Sequence, residues 1–360
     1  MRWALAAVAG ALAACASGCG PAVHNEAAER ARQWFYEGPG AAAGGRVDAI
    51  RDILDRHPEA LQAGAVFPDW GYGCMSMDDE AEAAHWSPFM EHGVAHFLET
   101  YQEPRGTRAE QLLAFLFGVA SHQVADEQWH SLSGLREGMM RVLADSTFGG
   151  DFGRAHDVLD VGGDFALAHM DSLAHMLDEW TVPVDDVLAI YRRMGFSVAR
   201  WRLNMCVTRQ FYAMEAVKRF GRGLFPSYAS RAPMLIERLD DYYIGGLYAM
   251  ATATNDCWHA LVDWFVAGDF SRRCLADDAP RRANTTGRSL LQSMDLPTRL
   301  VRQIHDSVAT TEADGRLHLR AAVPRAEGPA SGIDDGSRQR VFSAQHTGPP
   351  RSAADGCAEL

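Results

Sequence analysis

Between Ser121 and His130, three side chains able to hold a metal ion, His122, Asp126 and His130, recur at intervals of four. At about 100° per residue, each step of four drifts only about 40° around an α-helix, so all three project from one face. Leu113, Phe117 and Val124 share the same stretch of chain. A helix that turned His, Asp and His inward beside them would bury polar groups at a cost of several kcal/mol unless those groups were paired. Metal ligation removes that cost, and a solvent-facing polar stripe is the alternative. His156 and Asp160 repeat the four-residue pairing. Asp69, in VFPDW, and His85, in HWSPF, stand beside prolines, where a loop can aim a side chain. His24 follows Cys19 by five residues, close enough for an imidazole and a freed N-terminal amine to share one ion. Imidazole with carboxylate and no thiolate side chain suits catalytic zinc with open positions better than a closed structural site.

Other residues carry weaker signals. His92 and His96 look ligand-like but fit packing or ligand-orienting roles, while His169 and His175 fit a polar face or the core. Asp164, after Gly162-Gly163, reads either as support for Asp160 or as the cap of a following helix. Trp70, Tyr72, Trp86 and Trp129 adjoin the candidate ligands and either pack the core or wall an apolar cleft.

The elements that must position these groups are helical nearly throughout. Val47, Ile50 and Leu54 form one stripe over Arg46 to His57, and Leu113, Phe117, Ala120 and Val124 form another over Glu110 to Trp129. Further helices are expected over Glu80 to Tyr101, Leu132 to Leu143, Phe165 to Leu177, Val184 to Met194, Phe196 to Phe220, Pro233 to Tyr242 and Gly246 to Val266, punctuated by Gly and Pro pairs such as Gly162-Gly163. Alternating β-branched runs are absent. The fold class read from this is all-α.

The first residues read as an export leader. Arg2 precedes an apolar run from Trp3 to Ala14, too short for a membrane-spanning helix. Cleavage after Gly18 would leave Cys19 at the N-terminus, whereas Leu12-Ala13-Ala14-Cys15 offers a lipoprotein alternative anchored at Cys15. Cys74, Cys206, Cys257, Cys274 and Cys357 would then meet an oxidising compartment, where pairing is expected; Cys257 and Cys274 are the nearest plausible pair. Residues 19–280 form the expected catalytic domain. Residues 281–360, rich in Arg, Gly, Ser, Pro and Asp, read as linker and tail, with a short amphipathic piece around Leu300 to Val308.

Of 360 residues, 47 are acidic and 34 basic, a net charge of −13, which argues against duplex nucleic acid as a partner. Fourteen histidines are the anomaly, and eleven of them fall between His24 and His259.

Five phrases carry a resemblance: AGAVFPD (Ala63 to Asp69), HWSPF (His85 to Phe89), AFLFGVASHQVADEQWHSL (Ala114 to Leu132), AHDVLDVGGDF (Ala155 to Phe165) and WTVPVDDVLAIY (Trp180 to Tyr191). In this order and spacing they resemble the catalytic domain of glycosylphosphatidylinositol-specific phospholipase D, within the zinc-dependent phospholipase C and single-strand nuclease superfamily. The resemblance implies a single multi-helix domain around three zinc ions. Carried onto this chain, it makes Asp69, His85, His122 and Asp126 the cage of one ion, with Asp126 bridging to another. His130, His156 and Asp160 would hold the second, and His24 with the amine and carbonyl of Cys19 the third. Asp69 is ligand or general base by position.

Two features depart from the bacterial phospholipases and fungal nucleases of the superfamily: His130 follows His122 by eight residues instead of ten, a spacing the phospholipase D subgroup shares, and the N-terminal residue would be Cys instead of Trp. A third departs from the eukaryotic phospholipase D, in that no β-propeller is expected after the catalytic domain. The implied reaction is hydrolysis of a phosphodiester by metal-activated water, in a phospholipid or glycosylphosphatidylinositol-type substrate reached through peripheral contact with a membrane surface. A monomer is expected, secreted or periplasmic. A single-strand nuclease or nucleotidase on the same cluster, and a non-catalytic metal-binding surface lipoprotein, are the alternatives.

Overall fold

A long helix that is apolar on nearly every side has to be the centre of its domain, and Thr107–Trp129 is that helix. In the computed structural model, which describes residues 20–36, 45–102, 105–277, 309–311 and 315–321, eighteen of its residues are buried. Around it lie α1 (Pro21–Trp34), α2 (Arg46–Arg56), α3 (Pro58–Val66), α4 (Asp78–Ala84) and α5 (Ser87–Thr100); the central helix is α6 (Thr107–Trp129). There follow α7 (Met139–Thr147), α8 (Phe152–His169), β1 (Glu179–Val182), α9 (Val184–Arg193), α10 (Arg200–Ala229), α11 (Met234–Glu237), α12 (Leu247–Ala267), β2 (Ala309–Thr311) and β3 (Leu317–Arg320). Among the described residues the fold is all-α apart from one small antiparallel sheet of order β1-β3-β2, in which Trp180 faces Leu319 and Thr310 faces His318. The residues of β2 and β3 lie in the stretch the composition marks as linker and tail, so this sheet is an addition to the sequence reading.

Two glycines let α3 and α6 meet backbone to backbone. A Cβ on Gly64 would stand 2.0 Å from the Phe115 carbonyl oxygen, and one on Gly118 would stand 2.3 Å from that of Leu61. Phe35, Phe97, Phe117, Trp258 and Phe265 pack on the far side of α6 as an aromatic core that buries large area and locks ring against ring.

Several elements differ from expectation. The helix expected over Glu80 to Tyr101 is broken at His85-Trp86, because Pro88 cannot continue a helix begun before it and instead starts α5 in its first turn. Gly162 and Gly163, taken as a break, lie inside α8. Their missing side chains make room for Leu235 and Tyr228 on one side and for Val23 and Trp129 on the other. The α7 helix starts at Met139, since Ser131, Ser133 and Gly134 take left-handed backbone conformations. Only a single turn, α11, forms within Pro233 to Tyr242.

Among the described residues two disulfides are present. Cys257–Cys274 matches the expected pair, and Cys74–Cys206, across 132 positions, joins two further cysteines whose pairing was expected but whose partners were left open. Cys15, Cys19, Cys357, the leader and Leu300 to Val308 lie outside the described residues. Among the described residues no helix is long and apolar enough to cross a membrane.

Candidate metal centre

The central helix carries His122, Asp126 and His130 on one stripe into a gap bounded by α1, α8 and the segment from Phe67 to His85. His122 and Asp126 are buried within α6, and His130 is the residue at which the helix ends. Asp69 sits in a 3₁₀ turn, Phe67–Gly71, that directly continues α3. His85 occupies the break between α4 and α5, so the irregularity that Pro88 imposes is what aims this imidazole. His156 and Asp160 come from α8, one turn apart, and His24 comes from the first turns of α1.

These eight side chains converge. The His85 and His122 Nε2 atoms stand 3.1 Å apart, and His85 Nε2 lies 3.2 Å from Asp69 Oδ1 and 3.7 Å from Asp126 Oδ2. The other Asp126 oxygen lies 3.6 Å from His24 Nε2 and 3.1 Å from His130 Nε2. His156 Nδ1 approaches Asp160 Oδ2 at 3.0 Å, and the His130 and His156 rings lie 4.9 Å apart. His24 stacks on His122 with ring centroids 3.6 Å apart. Three groups have donor atoms within 4.8 Å of one another: His24 with Asp69 and His122; His85 with His122 and Asp126; and His130 with His156 and Asp160. His24, expected to stand apart with the N-terminus, thus joins Asp69 and His122, while Asp126 reaches toward both halves of the cluster.

Backbone carbonyls orient two of the rings. Assigned as donors, His122 Nδ1 bonds the Ala65 carbonyl at 3.0 Å and His85 Nδ1 that of Ala81 at 2.9 Å, which leaves each Nε2 to face the gap. Trp129 Nε1 donates to Asp160 Oδ1 at 2.9 Å and holds the other oxygen toward His156. The buried atoms His130 Nε2 and Asp160 Oδ2 have no hydrogen-bond partner of acceptable geometry, an unusual state for polar atoms away from water.

The electrostatics show what the gap lacks. Burial holds His24 and His122 down to about 3, so both stay neutral and able to donate a lone pair. Burial also opposes charge on His85 and His156. In His85 the hydrogen bond and charge of Asp69, aided by Asp126, outweigh it; in His156 the charge and bond of Asp160 do. Both rings are raised to about 9. For Asp126, burial would favour the neutral acid, but His130 and the neighbouring rings hold its carboxyl well below the usual range. Protons on two rings therefore stand where the three carboxylates call for positive charge. Orphaned nitrogen and oxygen, neutral imidazoles and, among the described residues, no thiolate side chain in the cluster fit zinc.

The remaining candidates fall elsewhere. His96 Nε2 bonds Asp186 at 2.9 Å, which joins α5 to α9. His169 packs beside Phe225, and His175 lies outside α8, 3.6 Å from Glu26. Trp70 and Trp129 are fully buried, whereas Tyr72 is half-buried beside the His85 ring, with its hydroxyl donating to Glu82. Asp164 caps neither a following helix nor a loop: it lies inside α8 and accepts bonds from Ala22 and Val23 of α1.

Comparison with known proteins places this geometry in context. Residues 23–213, more than half of the chain, match the family described as zinc dependent phospholipase C. A phosphatidylinositol-glycan-specific phospholipase D of Dictyostelium discoideum is 35% identical over 265 residues, 73% of this chain and 27% of the relative. The Homo sapiens protein of the same name is 32% identical over 304 residues, 81% of this chain and 35% of the relative. The chain therefore spans about a third or less of the length of these curated relatives. No solved structure matches.

Proposed function

The chain belongs to the zinc-dependent phospholipase C family, and from that premise we propose that it is an exported phosphodiesterase cleaving phospholipids of the glycosylphosphatidylinositol type. The observation that carries the reading is the convergence of eight His and Asp side chains, with Asp126 reaching both halves. Asp69, His85 and His122 with Asp126 would hold one zinc ion, His130, His156 and Asp160 a second, and His24 with the N-terminal residue Cys19 a third. Bound zinc supplies a Lewis acid that brings a water molecule near its ionised form and neutralises charge on phosphoryl oxygens. The protein's part is orientation and proton traffic. The Ala65 and Ala81 carbonyls fix which nitrogens of His122 and His85 face the gap, and Asp69 would serve as ligand or as proton acceptor. The names of the relatives support a glycosylated phosphatidylinositol as substrate, and two disulfides support an extracytoplasmic home.

Metal analysis of the purified protein, with product release from glycosylphosphatidylinositol, phosphatidylinositol, phosphatidylcholine and single-stranded DNA, tests this. Two to three zinc ions per chain and lipid hydrolysis abolished by His122→Ala are expected. Fewer than two ions, or unchanged hydrolysis in the variant, would sink the proposal; DNA cleavage without lipid hydrolysis would make the chain a nuclease.

A further inference from the structure

Helix α1 carries His24 but has no side-chain cap of its own: its N-cap residue is Gly20, followed by Pro21. The cap comes from another helix. Asp164 Oδ1 accepts the Ala22 amide at 2.8 Å and the Val23 amide at 3.1 Å, across 142 and 141 positions of sequence. It thereby satisfies two of the donors that a helix start leaves open, and it sets a carboxyl group against the positive end of the helix dipole. Approach is so close that a Cβ on Gly20 would stand 2.2 Å from Asp164 Cγ. Beside it, Gly163 lets Val23 and Trp129 close in, since a Cβ there would meet both at about 3 Å. The His24 amide bonds the Gly20 carbonyl at 3.3 Å, so one helical turn links the capped residues to this imidazole.

Asp164 belongs to the same stripe of α8 as Asp160 and His156, four and eight residues further back. Only 2% of it is exposed, and a carboxyl group so enclosed is costly to keep in a core that Leu or Met could fill. Burial pushes its titration well above the usual carboxylate range, against the pull of the two amides. Such a cost makes sense where the group fixes geometry.

We propose that Asp164 is a positioning residue for His24, a carboxyl cap supplied by α8 that seats the first turn of α1 so that the His24 ring stacks on His122 and faces Asp69. The inference rests on the reading of His24 as a zinc ligand. It extends the cluster to a residue that touches neither metal nor substrate.

The test compares Asp164→Ala, Asp164→Asn, Gly20→Ala and His24→Ala in the full mature protein. The readouts are zinc per chain at fixed free zinc, amide exchange over residues 20–28, and helical circular dichroism. Asp164→Ala is expected to show the same zinc deficit as His24→Ala, with the His24-dependent ion bound about 10- to 100-fold more weakly, and with faster exchange at Ala22 and Val23. Gly20→Ala, which pushes the cap away without removing its carboxylate, is expected to do likewise, and it decides the question should Asp164→Ala fail to fold. Asp164→Asn, which keeps an acceptor oxygen, is expected to restore the zinc content. The double variant Asp164→Ala/His24→Ala is expected to lose no more zinc than His24→Ala alone. Full zinc in Asp164→Ala and Gly20→Ala beside a depleted His24→Ala overturns the cap. A wild-type zinc content in His24→Ala itself overturns the reading of His24 as a ligand, and the inference with it.

Discussion

At His85 and His156 the carboxylates beside the rings prevail over burial, and both imidazoles hold a proton up to about pH 9. A proton on a ligand nitrogen competes with a cation. Zinc uptake by the metal-free protein is therefore expected to release protons, and its apparent affinity to rise with pH from about 7 to about 9 and then level off. Calorimetry in buffers of different ionisation enthalpy reads the release directly; pH-independent affinity with no proton release would contradict it. The same rings set a stability trend in the metal-free protein. Their folded-state values exceed the ordinary 6.5, so their contribution is fully present below pH 6.5 and is lost as pH rises through about 9. That His122, Asp126 and His130 share one face was legible from their spacing alone, because four residues on a helix is a geometric statement; that the face turns inward was not. Asp69 and His85 were legible mainly through resemblance, since a 3₁₀ turn and a helix break carry no period. Asp164 was legible as a residue of interest but not in its role, because its partners lie more than 140 positions away.

Among the elements, the α3–α6 crossing is the joint on which the site depends. It brings the Ala65 carbonyl to His122 and leads directly into the turn that holds Asp69. Gly118→Ala would drive a methyl group into the Leu61 carbonyl, and the backbone cannot yield without moving that turn. A loss of about 1–3 kcal/mol is expected in urea unfolding at fixed zinc. By contrast, Gly153→Ala, on the exposed first turn of α8 with only Asp151 nearby, is expected to be neutral or stabilising by up to about 1 kcal/mol. Equal effects of the two would refute the joint. Periodicity located most helices but misjudged glycine. Gly162-Gly163 resembles a loop in one dimension, whereas in three dimensions it is the flat surface on which α1 and α11 rest. The strands were missed because β1, β2 and β3 are only three or four residues long, too short for an alternation to stand out.

For the whole molecule, the Cys74–Cys206 bridge ties the segment after Asp69 to α10 across 132 positions. Chain-entropy arguments assign a loop of that length about 4–5 kcal/mol, against about 3 kcal/mol for the 17-position loop closed by Cys257–Cys274. The pair of substitutions Cys74→Ala and Cys206→Ala is accordingly expected to lower unfolding free energy more than the pair Cys257→Ala and Cys274→Ala. The reverse order in guanidinium titrations at equal zinc would show that local strain outweighs loop length. The acidic excess noted in the composition has a local counterpart in Asp69, Asp126 and Asp160, whose charge bound cations would offset.

The cap on α1 also has a consequence in time. Residues 21–34 are among the first of the described chain to be synthesised, yet their partners on α8 and α12 follow by more than a hundred residues. Contacts this distant in sequence form late, because their loops must close first. The first described helix is thus expected to take its final seat late, once α8 and α12 are in place to receive it. In pulse-labelled refolding, amides 22–28 are expected to gain protection after those of α6, and protection in the opposite order would refute this sequence of assembly.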